Sequence, residues 1–376
     1  MEKLFAACSP GLETIVAQEL HQLGLLGITL EEFPFTTGGV SFKGDTEAIF
    51  RSNLWLRSAN RVLVRLGDFY AAAFSELRKK AGRLEWERYL IPGKPIALKV
   101  TCRKSRLYHS DAVAERVAGA ISDRLGQSAL VKKPNKMGEI QLILVRLFRD
   151  HCTISIDSSG ALLHRRGYRL ASAKAPLRET LAAGILLSSG WTAATPLLDP
   201  FCGSGTIAIE AALMACNIPP GRRRRYTFMS WPNFDQIGWE NLLAESKQQE
   251  CKQNLKIFAS DRDAGAILIA KANAERAGVA EAIEFSQRAL SAVEPTGTGW
   301  VVTNPPYGHR VSSDKDLRNL YAQFGKILRA KCPGWRVSFL CNDQKLIYYT
   351  NLNLESRMTL DNGGILVKLA QGIVLE

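Results

Sequence analysis

The sequence predicts an α/β protein, with a doubly wound, Rossmann-like parallel sheet in its second half and a smaller α+β region ahead of it. Three observations carry this. From about residue 196 onward, short apolar runs alternate with Ala-rich or amphipathic stretches, as a parallel sheet with crossover helices requires. Leu197-Leu198-Asp199 runs through Pro200-Phe201-Cys202-Gly203-Ser204-Gly205-Thr206 into an apolar segment ending at Cys216, a strand, glycine turn and helix in succession. Finally, Asp361-Asn362-Gly363 lies between two apolar runs and marks a closing antiparallel hairpin.

Taken in order, Leu4 to Cys8 reads as a strand. Gly11 to Leu23 has apolar residues at helical spacing (Leu12, Ile15, Val16, Leu20, Leu23), and Gly24 supplies a stop. The mixture then repeats as a helix over 46–58, a strand over 61–67, a helix near 75–88 and a strand over 95–102. A helix over 110–125, capped by Ser110 or Asp111, and strands near 140–147 and 152–157 complete the front region. Residues 158–175 are rich in Ser, Gly, Ala and Arg and read as a connection, after which Ala175 to Leu187 forms an apolar helix with Pro176 in its first turn. Strands over 196–200, 256–260, 282–286, 299–303 and 335–341, with helices over 205–216, 264–277 and 314–330, build the second half. The expected domains are 1–55, 56–157 and 165–376.

Composition bounds the function. A chain of 376 residues at 46% hydrophobic content is long enough for two or three cores, and its net charge of +13 suits a polyanionic partner. The eight cysteines include no CxxC pair and the five histidines are scattered, so neither a metal site nor a disulfide framework is expected. With no signal peptide and no long apolar run, no membrane association is expected and the cytoplasm is the expected location.

Chemistry concentrates in Thr303-Asn304-Pro305-Pro306-Tyr307-Gly308, at the end of the apolar run Trp300-Val301-Val302. Two prolines stiffen the turn, so that the Asn304 amide oxygen and the Pro305 carbonyl can both accept protons from one exocyclic amine. That localises a nitrogen lone pair otherwise delocalised into a base, while Tyr307 offers a ring on which an extracted base can stack. These three are the expected catalytic residues. The glycine turn satisfies the loose GxGxxG/A dinucleotide pattern through Gly203 and Gly205, but the next strand-end acid is Asp261, much later than that pattern expects. Asp-Pro-Phe before the glycines, with Asn-Pro-Pro-Tyr about 100 residues on, favours S-adenosylmethionine over NAD. The cofactor would be held by Asp199, Pro200, Phe201, Gly203, Gly205, Asp261 on the ribose hydroxyls, Arg262 near the adenine, and Asn304. Cys202 reads as a small packing residue rather than a nucleophile, because the base-gripping motif carries no cysteine.

These motifs resemble those of the bacterial THUMP-domain RNA methyltransferases, especially the 23S rRNA N2-guanine group. The resemblance extends over Cys8-Ser9-Pro10-Gly11-Leu12-Glu13, Lys104-Ser105-Arg106-Leu107-Tyr108-His109, Arg166-Gly167-Tyr168-Arg169, Ala175-Pro176-Leu177-Arg178-Glu179-Thr180 and Asn217-Ile218-Pro219-Pro220-Gly221. It implies a seven-stranded S-adenosylmethionine methyltransferase domain preceded by an α+β ferredoxin-like and THUMP module, acting on RNA, with the 175–187 segment closing over the methionine end of the cofactor. The family commonly reads adenine with a third-strand carboxylate. Here that region is Phe285-Ser286-Gln287-Arg288-Ala289, and Gln287 is the expected substitute. RNA contact is expected from Lys99, Arg103, Lys104 and Arg106, and from Arg223 and Arg224 within the run Arg222–Arg225. A tRNA N2-guanine methyltransferase, a DNA or RNA adenine-N6 methyltransferase and a non-catalytic RNA-binding assembly factor remain as alternatives.

Overall fold

A computed structural model describes residues 1–25, 35–36, 38–133, 140–170, 177–251, 256–295, 297–307 and 314–375. The chain forms two compact units: Met1–Cys8, Ala17–Leu163 and Arg223–Ala244 make the first, and Ser9–Val16, His164–Arg222 and Glu245–Glu376 the second. The expected linear divisions at 55, 157 and 165 therefore differ from these units, because a short N-terminal segment and the insertion 223–244 each exchange sides.

The first unit carries one seven-stranded sheet. Its strands are β1 (Glu2–Cys8), β2 (Phe35–Thr36), β3 (Gly39–Gly44), β4 (Ala59–Tyr70), β5 (Ile96–Arg103), β6 (Gln141–Phe148) and β7 (His151–Asp157), in the order β2-β3-β1-β4-β7-β6-β5. Helices α2 (Thr46–Trp55), α3 (Phe74–Ala81) and α4 (Ser110–Leu125) belong to the same unit, while α1 (Glu13–Gln22) spans the boundary at Ala17. Gly24 ends α1 in the left-handed region, at φ 69°. Contrary to expectation, His109 is the N-cap of α4 and makes no side-chain cap bond, and Ser110 is already helical.

The insertion packs into this unit through its rings. Phe50 of α2 meets Phe228, Phe234 and Trp239 with centroids 4.8, 5.8 and 5.7 Å apart, and Tyr226 stacks on Phe228. Arg224 is buried among them. Its Nη1 and Nη2 donate to the carbonyls of Leu162 and Ala161, and its guanidinium lies over Tyr226. Those donors are spent inside the unit, which corrects the expectation that Arg224 meets phosphate. Arg223 is exposed.

The second unit is built on β8 (Leu197–Asp199), β9 (Ile257–Asp261), β10 (Ile283–Gln287), β11 (Trp300–Thr303), β12 (Arg336–Cys341), β13 (Leu354–Asn362) and β14 (Ile365–Ile373), in the order β10-β9-β8-β11-β12-β14-β13. The pairings from β10 through β12 are parallel, and β14 joins β12 antiparallel. This is the expected doubly wound, Rossmann-like seven-stranded sheet with a terminal hairpin. The hairpin turns at Gly363 and Gly364, both with positive φ, one residue beyond the Asn-Gly reading. The helices are α5 (Glu179–Ser189), α6 (Thr206–Ala215), α7 (Gln236–Gln248, shared with the insertion), α8 (Ala264–Ala277), α9 (Asp314–Lys331) and α10 (Gln344–Tyr349). Helix α5 starts at Glu179 because Arg178 is extended, at ψ 142°; the expected start, Ala175 and Pro176, lies outside the described residues. Helix α6 is apolar except for Thr206 and Glu210 and is accordingly buried along nearly its whole length.

Helix α9 packs Tyr321, Phe324 and Leu328 into a core with Trp335, Phe339 and Ile347. Gly325 sits where a Cβ would lie 1.7 Å from the Thr350 carbonyl oxygen, which is itself fixed by Arg329 Nη1 at 2.7 Å. Gly325→Ala should therefore cost about 3 kcal/mol through overpacking, read as a lowered denaturation midpoint. Ala322→Gly, at an exposed position of the same helix, should cost no more than about 1 kcal/mol. Equal losses for the two would remove the close approach as the cause.

Candidate active site

The site forms where strand order reverses, between β8 and β11, as the topology of doubly wound sheets directs. Trp300 and Val301 pair with Leu197 and Leu198, so the strands' carboxyl ends emerge side by side. One hydrogen bond locks them: Thr303 Oγ1 donates to Asp199 Oδ1 at 2.6 Å. The same oxygen accepts from the Phe201 amide at 3.3 Å, fixing the start of the glycine turn. Gly203 and Gly205 follow with φ 51° and 81°, the backbone region that L side chains rarely enter. A Cβ on Gly205 would also meet Ala270 Cβ at 3.0 Å.

Asp261 ends β9 and completes the turn. Its Oδ2 accepts from the Gly203 amide and its Oδ1 from the Asp263 amide, both at 3.0 Å. Two of the four lone-pair directions of the carboxylate remain for a ligand. Asp263 caps α8 by accepting from Gly265 and Ala266.

Asp199, Gly203, Asp261 and Asp263 line a cavity of about 1330 Å3 together with Asn304, Arg262 and Leu290, whereas Gly205 lies outside its lining. That exceeds the roughly 300–1,000 Å3 of ordinary small-molecule sites, leaving room for a nucleoside cofactor and a second ring. Pro200, Phe201, Ser204, Thr206 and Pro306 also contribute. Asn304 is half-buried, and its Oδ1 is a buried acceptor with no hydrogen-bond donor among the described residues. An unmatched buried acceptor costs about 1–3 kcal/mol, and an incoming N–H removes that cost. Pro305 is buried beside it.

Tyr307 departs from expectation. Its ring is 1% exposed and its hydroxyl accepts from Asn362 Nδ2 at 2.6 Å. As placed it anchors the turn to the closing hairpin and offers no open face for stacking. Gln287 is likewise turned away: it is exposed, its Nε2 donates to the Arg262 carbonyl at 3.4 Å, and the cavity wall beyond β10 is Ala289, Leu290 and Ser291 instead. Sequence reasoning also missed Asp316, Asn319, Leu320, Gln323 and Ile327, one face of α9 that lines the cavity. Their i, i+3, i+4, i+7 spacing within the expected helix was the available signal.

Behind the turn, holding its shape, lies a buried polar group of side chains. Arg169 Nη2 donates to Thr206 Oγ1 and to the Leu177 carbonyl, at 2.6 and 2.9 Å. Tyr168 Oη donates to Glu210, and Asn273 Nδ2 to the Ser204 carbonyl at 3.1 Å. The Arg-Gly-Tyr-Arg segment thus braces the first turn of α6.

Burial raises the thiol of Cys202 far above its ordinary range, helped by Asp199 and Asp261, so no thiolate is available there. Burial also pushes the Asp199 carboxyl up to about 7, against the opposing hydrogen bonds from Thr303 and Phe201. The folded chain then keeps a proton that the unfolded chain releases near pH 4. Stability should fall as pH rises from about 4 to about 7 and level off above, with at most about 4 kcal/mol from this carboxyl. Denaturant unfolding at pH 5 and pH 8 should show that loss in the wild type and a smaller one in Asp199→Asn; equal losses would remove Asp199 as the source.

Among the described residues no three His, Cys, Asp or Glu side chains group as a metal site, and no helix is long and apolar enough to cross a membrane.

With this geometry in hand, comparison with known proteins is specific. Residues 166–368 match the RMKL-like methyltransferase domain, residues 3–63 the RlmL ferredoxin-like domain and residues 71–157 the THUMP domain. A putative RNA methyltransferase of Synechocystis is 34% identical over 96% of this chain and 94% of its own length. The ribosomal RNA large subunit methyltransferase K/L of a Shewanella strain is 34% identical over 97% of this chain, which spans only 52% of that relative. A crystal structure of a putative methyltransferase complexed with SAH is 32% identical, covers 98% of this chain and 97% of its own, and superposes with a TM-score of 0.88. The chain belongs to the RMKL-like methyltransferase family, in the form that carries an RlmL ferredoxin-like segment and a THUMP domain ahead of the transfer domain.

Proposed function

We propose that the chain transfers a methyl group from S-adenosylmethionine to the exocyclic amine of a purine in RNA, with N2 of guanine in 23S rRNA as the acceptor. The observation that carries this reading is Asn304, which lines the cavity that also holds the glycine turn and whose Oδ1 is a buried acceptor with no donor among the described residues. The SAH bound by a structural relative and the ribosomal RNA named for the K/L relatives support the donor and the acceptor.

The donor supplies an activated methyl on a sulfonium. Asp261 would hold its ribose hydroxyls with the free lone pairs of its carboxylate, Leu290 and α9 would flank its adenine, and the turn after Asp199 with Leu177 would hold its methionine end. Asn304 Oδ1 and the Pro305 carbonyl accept hydrogen bonds from the two N–H groups of the amine, localising the nitrogen lone pair and aiming it at the methyl. Catalysis is then orientation and exclusion of water. The nitrogen bonds to carbon as the carbon–sulfur bond breaks, and the proton leaves to solvent afterwards. Lys99, Arg103, Lys104, Arg106 and Arg223 hold RNA phosphates; all are exposed, and Arg106 also pairs with Asp150 at 3.6 Å. The regions 1–55, 56–157 and 165–376 divide this work into two RNA-facing modules and one transfer module.

The test is incubation with undermethylated ribosomal RNA and isotope-labelled donor, followed by digestion to nucleosides and mass spectrometry. Labelled N2-methylguanosine is expected. Labelled N6-methyladenosine would overturn the acceptor, label in duplex DNA alone would overturn RNA as substrate, and no label in any nucleic acid would overturn the enzyme reading.

A further inference from the structure

One face of the first sheet is set out in three successive rows of side chains, exposed except that Arg65, Leu144 and Thr153 are half-buried and Ser155 is buried. In the first, Lys43 pairs with Lys3, Arg65 pairs with Ser155, Ser155 with Leu144, and Leu144 with Lys99. Pairing of Phe5 with Leu63 in antiparallel strands sets Lys3, two residues before Phe5, opposite Arg65, two residues after Leu63, on that same face. The second row is Asp68, Thr153, Arg146 and Thr101, and the third is Tyr70, His151, Phe148 and Arg103. Residues between them on each strand, such as Leu4, Val64, Ile154 and Val145, point the other way into the core.

The rows combine cations with open rings. Lys3, Lys43, Lys99, Arg103 and Arg146 are exposed, and among the described residues none of them forms an ion pair. Two of them, Lys3 and Lys43, face each other directly across the ladder, an arrangement that costs stability unless an anion screens it. Burial disfavours the charge on Arg65, with Asp68 opposing and Arg146 adding a smaller effect, and its guanidinium lies 4.2 Å from the centre of the Phe5 ring. The one acid in these rows, Asp68, is held by His151 Nδ1 at 2.8 Å. Tyr70 and Phe148 are 47% and 39% exposed, flank His151 in the third row, and Arg149 lies 5.3 Å from the Phe148 ring centre.

We propose that this face is a platform for an unpaired stretch of RNA, with the cationic rows on its phosphates and the Tyr70–His151–Phe148 row stacking on its bases. The inference rests on the reading of the chain as an RNA methyltransferase and adds where, and in which form, RNA is held. From β3 to β5 the face spans five strand spacings, about 24 Å. The rings decide for a single strand: base–aromatic stacking needs splayed bases, whereas a duplex keeps its bases stacked on one another and offers only phosphate and sugar. Lys104, Arg106 and the tilted ring pair Tyr108–His109, with centroids 4.0 Å apart, follow in the chain from the end of β5.

The test uses the full chain and fluorescence anisotropy with a labelled 16-nucleotide RNA of unstructured sequence, alone and annealed to its complement. The single strand should bind tighter than the duplex. Lys99→Gln/Arg103→Gln/Arg146→Gln should weaken it at least tenfold and lower the logarithmic salt slope by about 2, at about 0.7 for each phosphate left unneutralised. Phe148→Ala should weaken it about fivefold or more with the slope unchanged. Binding of S-adenosylhomocysteine, measured by calorimetry, should be unaltered in both, which verifies that they are folded. A preference for duplex, or unchanged affinity in Phe148→Ala and in the triple variant, would overturn the platform. If the wild type still methylates ribosomal RNA in that case, only this inference fails; if it binds no RNA and methylates none, the proposed function fails with it.

Discussion

Asn304→Ala should lower methyl transfer by about a thousandfold, some 4 kcal/mol of transition-state stabilisation, while S-adenosylhomocysteine binds as to the wild type. The expectation follows from where the side chain stands. Asn304 begins the turn after β11, level with Thr303, whose hydroxyl is tied to Asp199 at the end of β8. The amide is thus set by two paired strand ends; Asn304 lines the cavity, and its oxygen is buried with no donor of its own among the described residues. Removing it deletes an acceptor needed when the amine reacts, and deletes nothing the donor's ribose requires. Asn304→Asp keeps an acceptor at that place and should retain more rate than Asn304→Ala. Rapid single-turnover transfer, with calorimetry alongside, separates the two quantities. Near-normal transfer by Asn304→Ala would remove the amide from the mechanism, and loss of cofactor binding would make it a cofactor residue.

The sequence was readable where a residue's place depends on its near neighbours. Alternation and helical spacing locate β8, β9, β11, α8 and α9 to within a residue or two, because strand and helix periods are local properties. The strand-end positions of Asp199, Asp261 and Asn304 follow from those spans alone. Tyr307, Gln287 and Arg224 were misread because their surroundings are set by distant chain. Tyr307 is buried against Asn362 in the hairpin, 55 residues on, and Arg224 bonds to carbonyls 62 and 63 residues earlier. The run Arg222–Arg225 looks like surface by charge, yet Arg222 binds Glu250 and the Ala277 carbonyl while Arg224 lies among rings. The aromatic spacing of Tyr226, Phe228, Trp231, Phe234 and Trp239 was the stronger clue that this insertion is packed.

Asp261→Ala should weaken S-adenosylhomocysteine binding about a hundredfold, near 2.7 kcal/mol. Two effects contribute, and a chemical cycle separates them. The carboxylate fixes the turn, since Oδ2 holds the Gly203 amide and Oδ1 the Asp263 amide. On the proposed reading it also offers its remaining lone pairs to the donor's ribose diol. The 2′-deoxy analogue of S-adenosylhomocysteine lacks one of those hydroxyls but meets the same turn. Wild type should bind it about tenfold less well than the parent ligand, whereas Asp261→Ala should bind the two alike, because the partner of the missing hydroxyl is already gone. Asp261→Asn keeps one acceptor for the Gly203 amide and should fall between. If the deoxy analogue loses the same factor against wild type and Asp261→Ala, the ribose is read elsewhere and the carboxylate acts on the turn alone. If the analogue loses nothing against either, the diol is not read at that hydroxyl. The outcome also bears on Asn304, for a turn displaced by loss of Asp261 would lower transfer at saturating donor, while loss of the ribose interaction alone would leave that rate intact.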